Sequence, residues 1–201
     1  MQEKNIRRSN AERTQTMRQA LLAAGRQLFI EKGYAETSTP EIVALANVTR
    51  GALYHHFEDK AALFKAVIIA ESEWAADLIN EATKDLADPL IALEVGTDAY
   101  LDAMAVPGRT RLLLIDGPAV LGRAVMDAID KETSGGTLIE GLVAATGRPV
   151  DAKLEAMASL LAAAFDRAAL DIASGAAAEP YRRMLKQFLA NVPIILAVDD
   201  I

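Results

Sequence analysis

The sequence predicts an all-α protein: an N-terminal three-helix helix-turn-helix domain joined by a shared helix to a larger helical domain. Three observations point there. Apolar residues recur at three-to-four spacing along most of the 201-residue chain, which makes single buried stripes, and runs of alternating character are few. Composition agrees, with 52% hydrophobic residues, only 5% aromatic ones, and Ala, Leu and Ile throughout. Two short capped segments also meet at Asn47, and helices joined by so brief a turn must cross steeply.

The first helix is expected over residues 12–32, where Met17, Leu21, Leu28 and Phe29, with Ala20 and Ala24, form the stripe and Arg13, Arg18 and Arg26 lie off it. Gly33 ends it, since a residue without Cβ takes the left-handed C′ conformation without strain. Ser38-Thr39-Pro40-Glu41 then supplies a cap, a proline tolerated in the first turn and a glutamate placed to complete a capping box, so a short helix spans 39–46. Asn47 tolerates the left-handed backbone of a tight turn, and the hydroxyl of Thr49 caps a third helix over 50–57. That helix buries Leu53 and Phe57 against Ile42, Leu45 and Val48. Asp59 caps a fourth, whose apolar residues Leu63, Phe64, Val67 and Ile68 continue through Trp74 and Leu78 to about residue 80.

Beyond Asp88-Pro89 the texture becomes Ala- and Leu-rich, punctuated at Pro107-Gly108, Gly117-Pro118, Ser134-Gly135-Gly136 and Gly147-Arg148-Pro149. Helices are expected at 90–106, 109–115, 119–132, 137–146, 152–174 and 180–198. With no low-complexity linker, the two parts share the fourth helix, and the domains are drawn at 1–58 and 59–201.

The formal charge of −7 argues at first against a polyanionic partner, but its distribution reverses that. Residues 1–66 carry ten basic and seven acidic side chains, a surplus of three, and the remainder carries −10. A basic head, with a basic tail at its start, on an acidic body suggests that one end alone meets a polyanion. Cysteine is absent, so disulfides, thiolate metal sites and cysteine nucleophiles are excluded. The polar, basic start lacks an apolar leader and no long apolar run follows, so a cytoplasmic protein with no membrane partner is expected.

Thr49 to Phe57 has the residue types of a recognition helix. Gly51 and Ala52 are small enough to let the backbone approach base edges in a major groove. Arg50 is suited to guanine or phosphate, while Thr39, Thr49, Tyr54 and His55 are candidate phosphate contacts; Lys60, at the start of the fourth helix, is another. The double-stranded DNA operator is therefore the expected partner. An enzyme fits poorly: both histidines, His55 and His56, lie in this helix, no serine stands in a nucleophile-elbow setting, and no catalytic residue or metal site is expected. Asp98 and Asp102, at i and i+4, read as a solvated helix face rather than a catalytic pair. A helical protein-interaction module is the alternative, but it has no use for the basic tail or for Gly51-Ala52.

From Ala20 to Val67 the chain resembles the DNA-binding domain of the tetracycline-repressor (TetR) family of transcriptional regulators. The resemblance rests on Leu28-Phe29-Ile30-Glu31-Lys32-Gly33-Tyr34, Thr37-Ser38-Thr39-Pro40-Glu41-Ile42 and Thr49-Arg50-Gly51-Ala52-Leu53-Tyr54-His55-His56-Phe57, followed by Lys60. It implies that Tyr54 meets phosphate, that Arg50, Ala52 and His55 face the groove, that Lys60 anchors the backbone and that Leu53 and Phe57 are core. Asn47 departs from the glycine usual in the turn. The resemblance also implies a helical effector pocket and a dimer interface built from the last two helices.

The body agrees in outline. Leu154, Met157, Leu161, Phe165, Ala168 and Ile172 make one stripe, and Tyr181, Met184, Leu185, Phe188, Val192 and Ile195 another. Leu161, Phe165, Ile172, Met184, Phe188 and Val192 are the expected dimer interface, although stripes alone also fit an ordinary core. No cofactor is expected. The expected effector is a mostly apolar small molecule held by Tyr100, Met104, Leu113, Asp116, Leu121 and Phe165. Asp116, Arg123, Asp166 and Arg167 are charged residues in apolar helices that either orient such a ligand or pair with one another and face water. The fourth helix, roughly 30 Å long at 1.5 Å per residue, would be the lever between ligand and operator.

Overall fold

The computed structural model describes residues 10–197, and every regular element among them is helical. The basic tail expected before Asn10 lies outside the described residues. The chain forms two compact units that divide inside one helix, between Ile68 and Ile69, rather than at 58/59.

The first unit holds α1 (Asn10–Glu36), α2 (Thr39–Leu45), α3 (Arg50–His56) and the opening turns of α4 (Lys60–Thr83). Those turns explain the later division, because they give Leu63, Phe64, Val67 and Ile68 to the same core as Leu21, Phe29, Ile42 and Leu53. The rings of Phe29 and Phe64 meet edge to face there, 5.0 Å apart. α1 breaks at Gly33, but with φ 82° and ψ 165° instead of the expected left-handed helical pair. That region belongs almost only to glycine. The hydroxyl of Thr37 lies 2.7 Å from the Gly33 carbonyl and closes the break. Leu45, expected in the core, is half exposed.

The second unit begins in the rest of α4 and continues through α5 (Pro89–Met104), α6 (Arg109–Arg111), a π-helical turn (Leu112–Asp116), α7 (Gly117–Leu121), α8 (Arg123–Lys131), α9 (Ser134–Thr146), α10 (Ala152–Ala173) and α11 (Ala178–Ala197). Its core draws Leu93 and Leu101 from α5, Leu142 from α9, Leu154, Leu161 and Phe165 from α10, and Leu185, Leu189 and Val192 from α11. Two differences from expectation trace to glycines. The single helix expected over 119–132 is split at Gly122, whose φ of 83° a helix interior does not accept. At Gly117 the N–H reaches back five residues to Leu112 O, and a Cβ there would lie 2.9 Å from that oxygen.

Ion pairs join the helices of this unit. Asp98 on α5 accepts from Arg182 at 3.0 Å and Lys186 at 2.6 Å on α11, and Arg182 also pairs with Asp102. The two aspartates are thus helix-to-helix anchors rather than a free solvated face. Arg109 is deeply buried, donates to Glu71 Oε2 at 2.9 Å and to Ala103 O at 2.7 Å, and lies 3.9 Å from the centre of the Trp74 ring. Trp74 and Leu78 are exposed in the chain, and the buried face of α4 continues instead through Ala75, Ala76 and Ile79.

Candidate functional site

Local sequence chemistry fixes the first candidate surface. Ser38 precedes α2, and Glu41 reaches back to accept from its N–H at 2.9 Å and its hydroxyl at 2.7 Å. Lys32 also pairs with Glu41, and these partners hold the Glu41 carboxyl down to about 2. Asn47 turns the chain with φ 51°, the one positive φ among the described non-glycine residues. Thr49 then caps α3, its hydroxyl accepting from Ala52 N–H at 3.1 Å. With Leu53 buried inward, Thr49, Arg50, Gly51, Tyr54 and His55 are all exposed on α3, and Ala52 is partly so. Arg50 leans on Tyr54, 3.5 Å from its hydroxyl, and the guanidinium, helped by Thr39, lowers the phenol's pKa. The partly buried Thr39 and the exposed Arg50 and Tyr54 therefore form one group of donors. His56 turns inward instead, and burial, with the neighbouring His55 and Arg18, lowers its pKa.

Lys60 is placed differently from expectation. Its ammonium donates to Tyr34 O and Thr37 O, both at 2.8 Å, and lies 4.3 Å from the Tyr34 ring centre. It ties the strained segment after Gly33 to the start of α4, a structural duty that the spacing did not reveal. Lys60→Met, which keeps the stem and removes the donors, is expected to lower the unfolding free energy by about 2 kcal/mol, within the range for bonds to charged groups. Urea melts would show it. Unchanged stability with a flatter salt dependence of DNA binding would return Lys60 to the phosphate role.

The second candidate is a cavity of about 280 Å³ in the second unit. Its walls are Ile79, Leu93, Leu138, Phe165 and Leu189, with polar positions at Asn80, Thr97, Tyr100, Asp130, Glu140 and Asp166. Tyr100 meets Phe165 edge to face at 5.2 Å and donates its hydroxyl to Asp166 Oδ1 at 2.9 Å. Burial and the Asp166 charge push the tyrosine pKa well up. Asp130 is exposed, yet crowding by protein and the charge of Asp166 push its carboxyl up to about 6, against an opposing hydrogen bond from Gly135 N–H.

Of the expected effector residues, Tyr100 and Phe165 line this cavity and the other four do not. Met104 borders a separate pocket with Thr110 and Ile172. Leu113 is buried in the π turn, Asp116 faces Arg111, and Leu121 closes α7 just before the Gly122 break. Apolar character alone does not place a side chain in a cavity, and the breaks at Gly108, Gly117 and Gly122 turn these four elsewhere. Among the charged residues left open, Arg123 pairs with Asp127, Arg167 pairs with Asp171, and Asp166 alone faces the cavity. Asp130 carried no sequence signal, since only the tertiary fold sets it against Asp166.

The comparisons follow the same division. The family described as bacterial regulatory proteins, tetR family, matches residues 21–67. The tetracyclin repressor-like C-terminal domain matches residues 90–192, just over half the chain. The chain belongs to the TetR family. TetR-family relatives include the transcriptional repressor BepR of Brucella suis, 36% identical over 54% of this chain and 52% of the relative. The Tn10 TetC protein of Escherichia coli is 32% identical over 66% of this chain and 65% of its own length. The chain thus spans about half to two thirds of the length of these curated relatives. A TetR-family regulator of known structure from Pectobacterium atrosepticum is 31% identical, with a TM-score of 0.62, over 94% of this chain and 96% of that one. No described helix is long and apolar enough to cross a membrane.

The residues expected at a TetR-family dimer interface separate into two groups. Leu161, Phe165 and Val192 are buried in the chain's own core, and Ile172 packs against it, a correction to the interface expected from the stripes. Met184 and Phe188 stay 47% exposed, next to Ile195 along α11, and Leu160 on α10 is 70% exposed. The α11 stripe is wide enough to serve two purposes, with Leu185 and Val192 filling the core and Met184, Phe188 and Ile195 reaching the surface.

Proposed function

We propose that this chain is a DNA-binding transcriptional regulator of the repressor type, acting as a homodimer and released from its operator by a small-molecule effector. The observation that carries this reading is the outer face of α3. A helix capped by Thr49 exposes small residues at its groove-facing start, with Arg50, Tyr54 and His55 around them. The family match over the same residues supports it. Dimerisation is supported by the exposed apolar side chains Met184, Phe188 and Ile195 of α11 and Leu160 of α10, surface that a second copy would cover. Two recognition helices could then meet half-sites about 34–36 Å apart. The cavity in the second unit supports an effector that is largely apolar with a few polar handles.

A gel shift on random genomic fragments at low salt, followed by selection of the retained sequences, tests the reading. The expected result is enrichment of a two-fold symmetric site. Phe188→Arg should sediment as a folded monomer and lose that site while keeping weak salt-dependent binding, because the substitution places a charge in an apolar seam. No enrichment from a folded wild-type dimer would refute operator recognition.

A further inference from the structure

We propose that the cavity of the second unit takes an organic cation, an amine with an apolar body whose protonated nitrogen sits against Asp130 and Asp166. The inference deepens the effector reading above and depends on it only for the regulatory consequence of binding. The cavity is of small-molecule size, and its walls are mostly apolar side chains from α4, α5, α9, α10 and α11. Into this space come two carboxylates from different helices, Asp130 of α8 and Asp166 of α10, with Glu140 also in the lining. No lysine, arginine or histidine is among the described lining residues. An apolar cavity that holds acids without a compensating cation favours a ligand that brings one.

A neutral or anionic ligand fits this chemistry less well. An anion would meet like charge in a confined space. A neutral molecule would leave the repulsion between the two carboxylates unrelieved. A bare metal ion is disfavoured as well, because no group of three or more described His, Asp or Glu side chains converges to hold one. The edge-to-face pair of Tyr100 and Phe165 adds ring surface that an alkylammonium can meet. Tyr100 donates to Asp166, fixing that carboxylate in place, while Asp130 is held by Gly135 N–H and is the freer of the two to respond to a ligand.

The charge state makes this testable without operator DNA. The groups that face Asp130 are Asp166 of α10 and, on its own helix, Asp127, while Gly135 N–H of α9 donates to it; Tyr100 of α5 faces Asp166. Crowding by protein and the Asp166 charge push its carboxyl up to about 6, so a bound cation would lower that value and expel the proton it carries. Cation affinity should therefore fall as pH drops through that range.

The experiment is isothermal titration calorimetry of the full chain with phenethylammonium, benzyltrimethylammonium, phenethyl alcohol and hydrocinnamate. The cations are expected to bind at least about tenfold more tightly than the alcohol, as for a hydrogen bond or ion pair to a charged group, and the carboxylate not at all. Near the Asp130 midpoint, buffers of different ionisation enthalpy should reveal proton release with phenethylammonium and with benzyltrimethylammonium, and none at about two pH units higher. Asp130→Asn should remove most of the preference for cation over alcohol. If that variant does not fold, proton release by the unaltered protein still decides the matter. Equal or better binding of the alcohol, binding of the carboxylate, absence of proton release, or no cation binding at millimolar concentration would each overturn the proposal. Cation binding that leaves DNA affinity unchanged would uphold the site and remove the effector reading instead.

Discussion

Gly51→Leu is expected to abolish sequence-specific DNA binding while leaving the fold intact. A Cβ at Gly51 would meet nothing closer than Thr49 Oγ1 at 3.9 Å, so the helix has room for a side chain. Leucine is also the better helix former by several tenths of a kcal/mol. The melting temperature should therefore hold or rise slightly. On the DNA side the same side chain would stand between the helix and the base edges. Losing even one bidentate base contact costs about 1–3 kcal/mol, and holding off the whole helix start would forfeit more than one, so specific affinity should fall at least about a hundredfold. Anisotropy titrations on the selected site and on a scrambled one would read it. A variant that still discriminates the two by the wild-type ratio would show that α3 does not enter a groove.

The largest effect on stability is expected at Arg109. Its guanidinium is nearly inaccessible, pairs with a buried Glu71, and also serves Ala103 O and the Trp74 ring. Arg109→Met strips that pair of one member, and breaking a buried pair typically costs about 3–5 kcal/mol, because the remaining charge stays in a poorly solvating place. Adding Glu71→Leu to the same chain should recover much of the loss, since a buried pair replaced by apolar residues is often close to neutral. Chemical denaturation of the two variants provides the comparison. A double variant no more stable than Arg109→Met alone would mean that the guanidinium's other contacts, not the charge pair, hold the segment.

Local signals survived translation into structure, and shared ones did not. Asn47, the Thr49 cap and the Glu41 carboxylate each act on backbone within a few residues, so their geometry could be inferred from neighbours alone. The exposed face of α3 follows from the same local chemistry. Lys60 bonds to carbonyls more than twenty residues earlier, which no spacing rule encodes. The stripes on α10 and α11 were visible, but a stripe says only that an apolar face is covered, not whether Leu189 of the same chain or a second copy covers it. Gly122 sits in a sequence that could have continued as helix, and its break is set by tertiary placement of α8 rather than by a local signal. The acid pair was the least legible feature, because 36 residues separate its members and neither has a local partner pattern.

The π-helical turn at Leu112–Asp116 bears on how this part of the chain tolerates changes in length. A wide turn of this kind is an ordinary helix carrying one surplus residue, absorbed by the five-residue reach of Gly117 N–H to Leu112 O. Removing one residue there would let the turn tighten to the common form while everything after it keeps its phase. The same deletion inside α10 would swing each later side chain by about 100° and turn the core edge of its stripe outward. Shortening by one position is thus harmless at one place in this unit and ruinous at another, and the backbone hydrogen bond at Gly117 marks the difference.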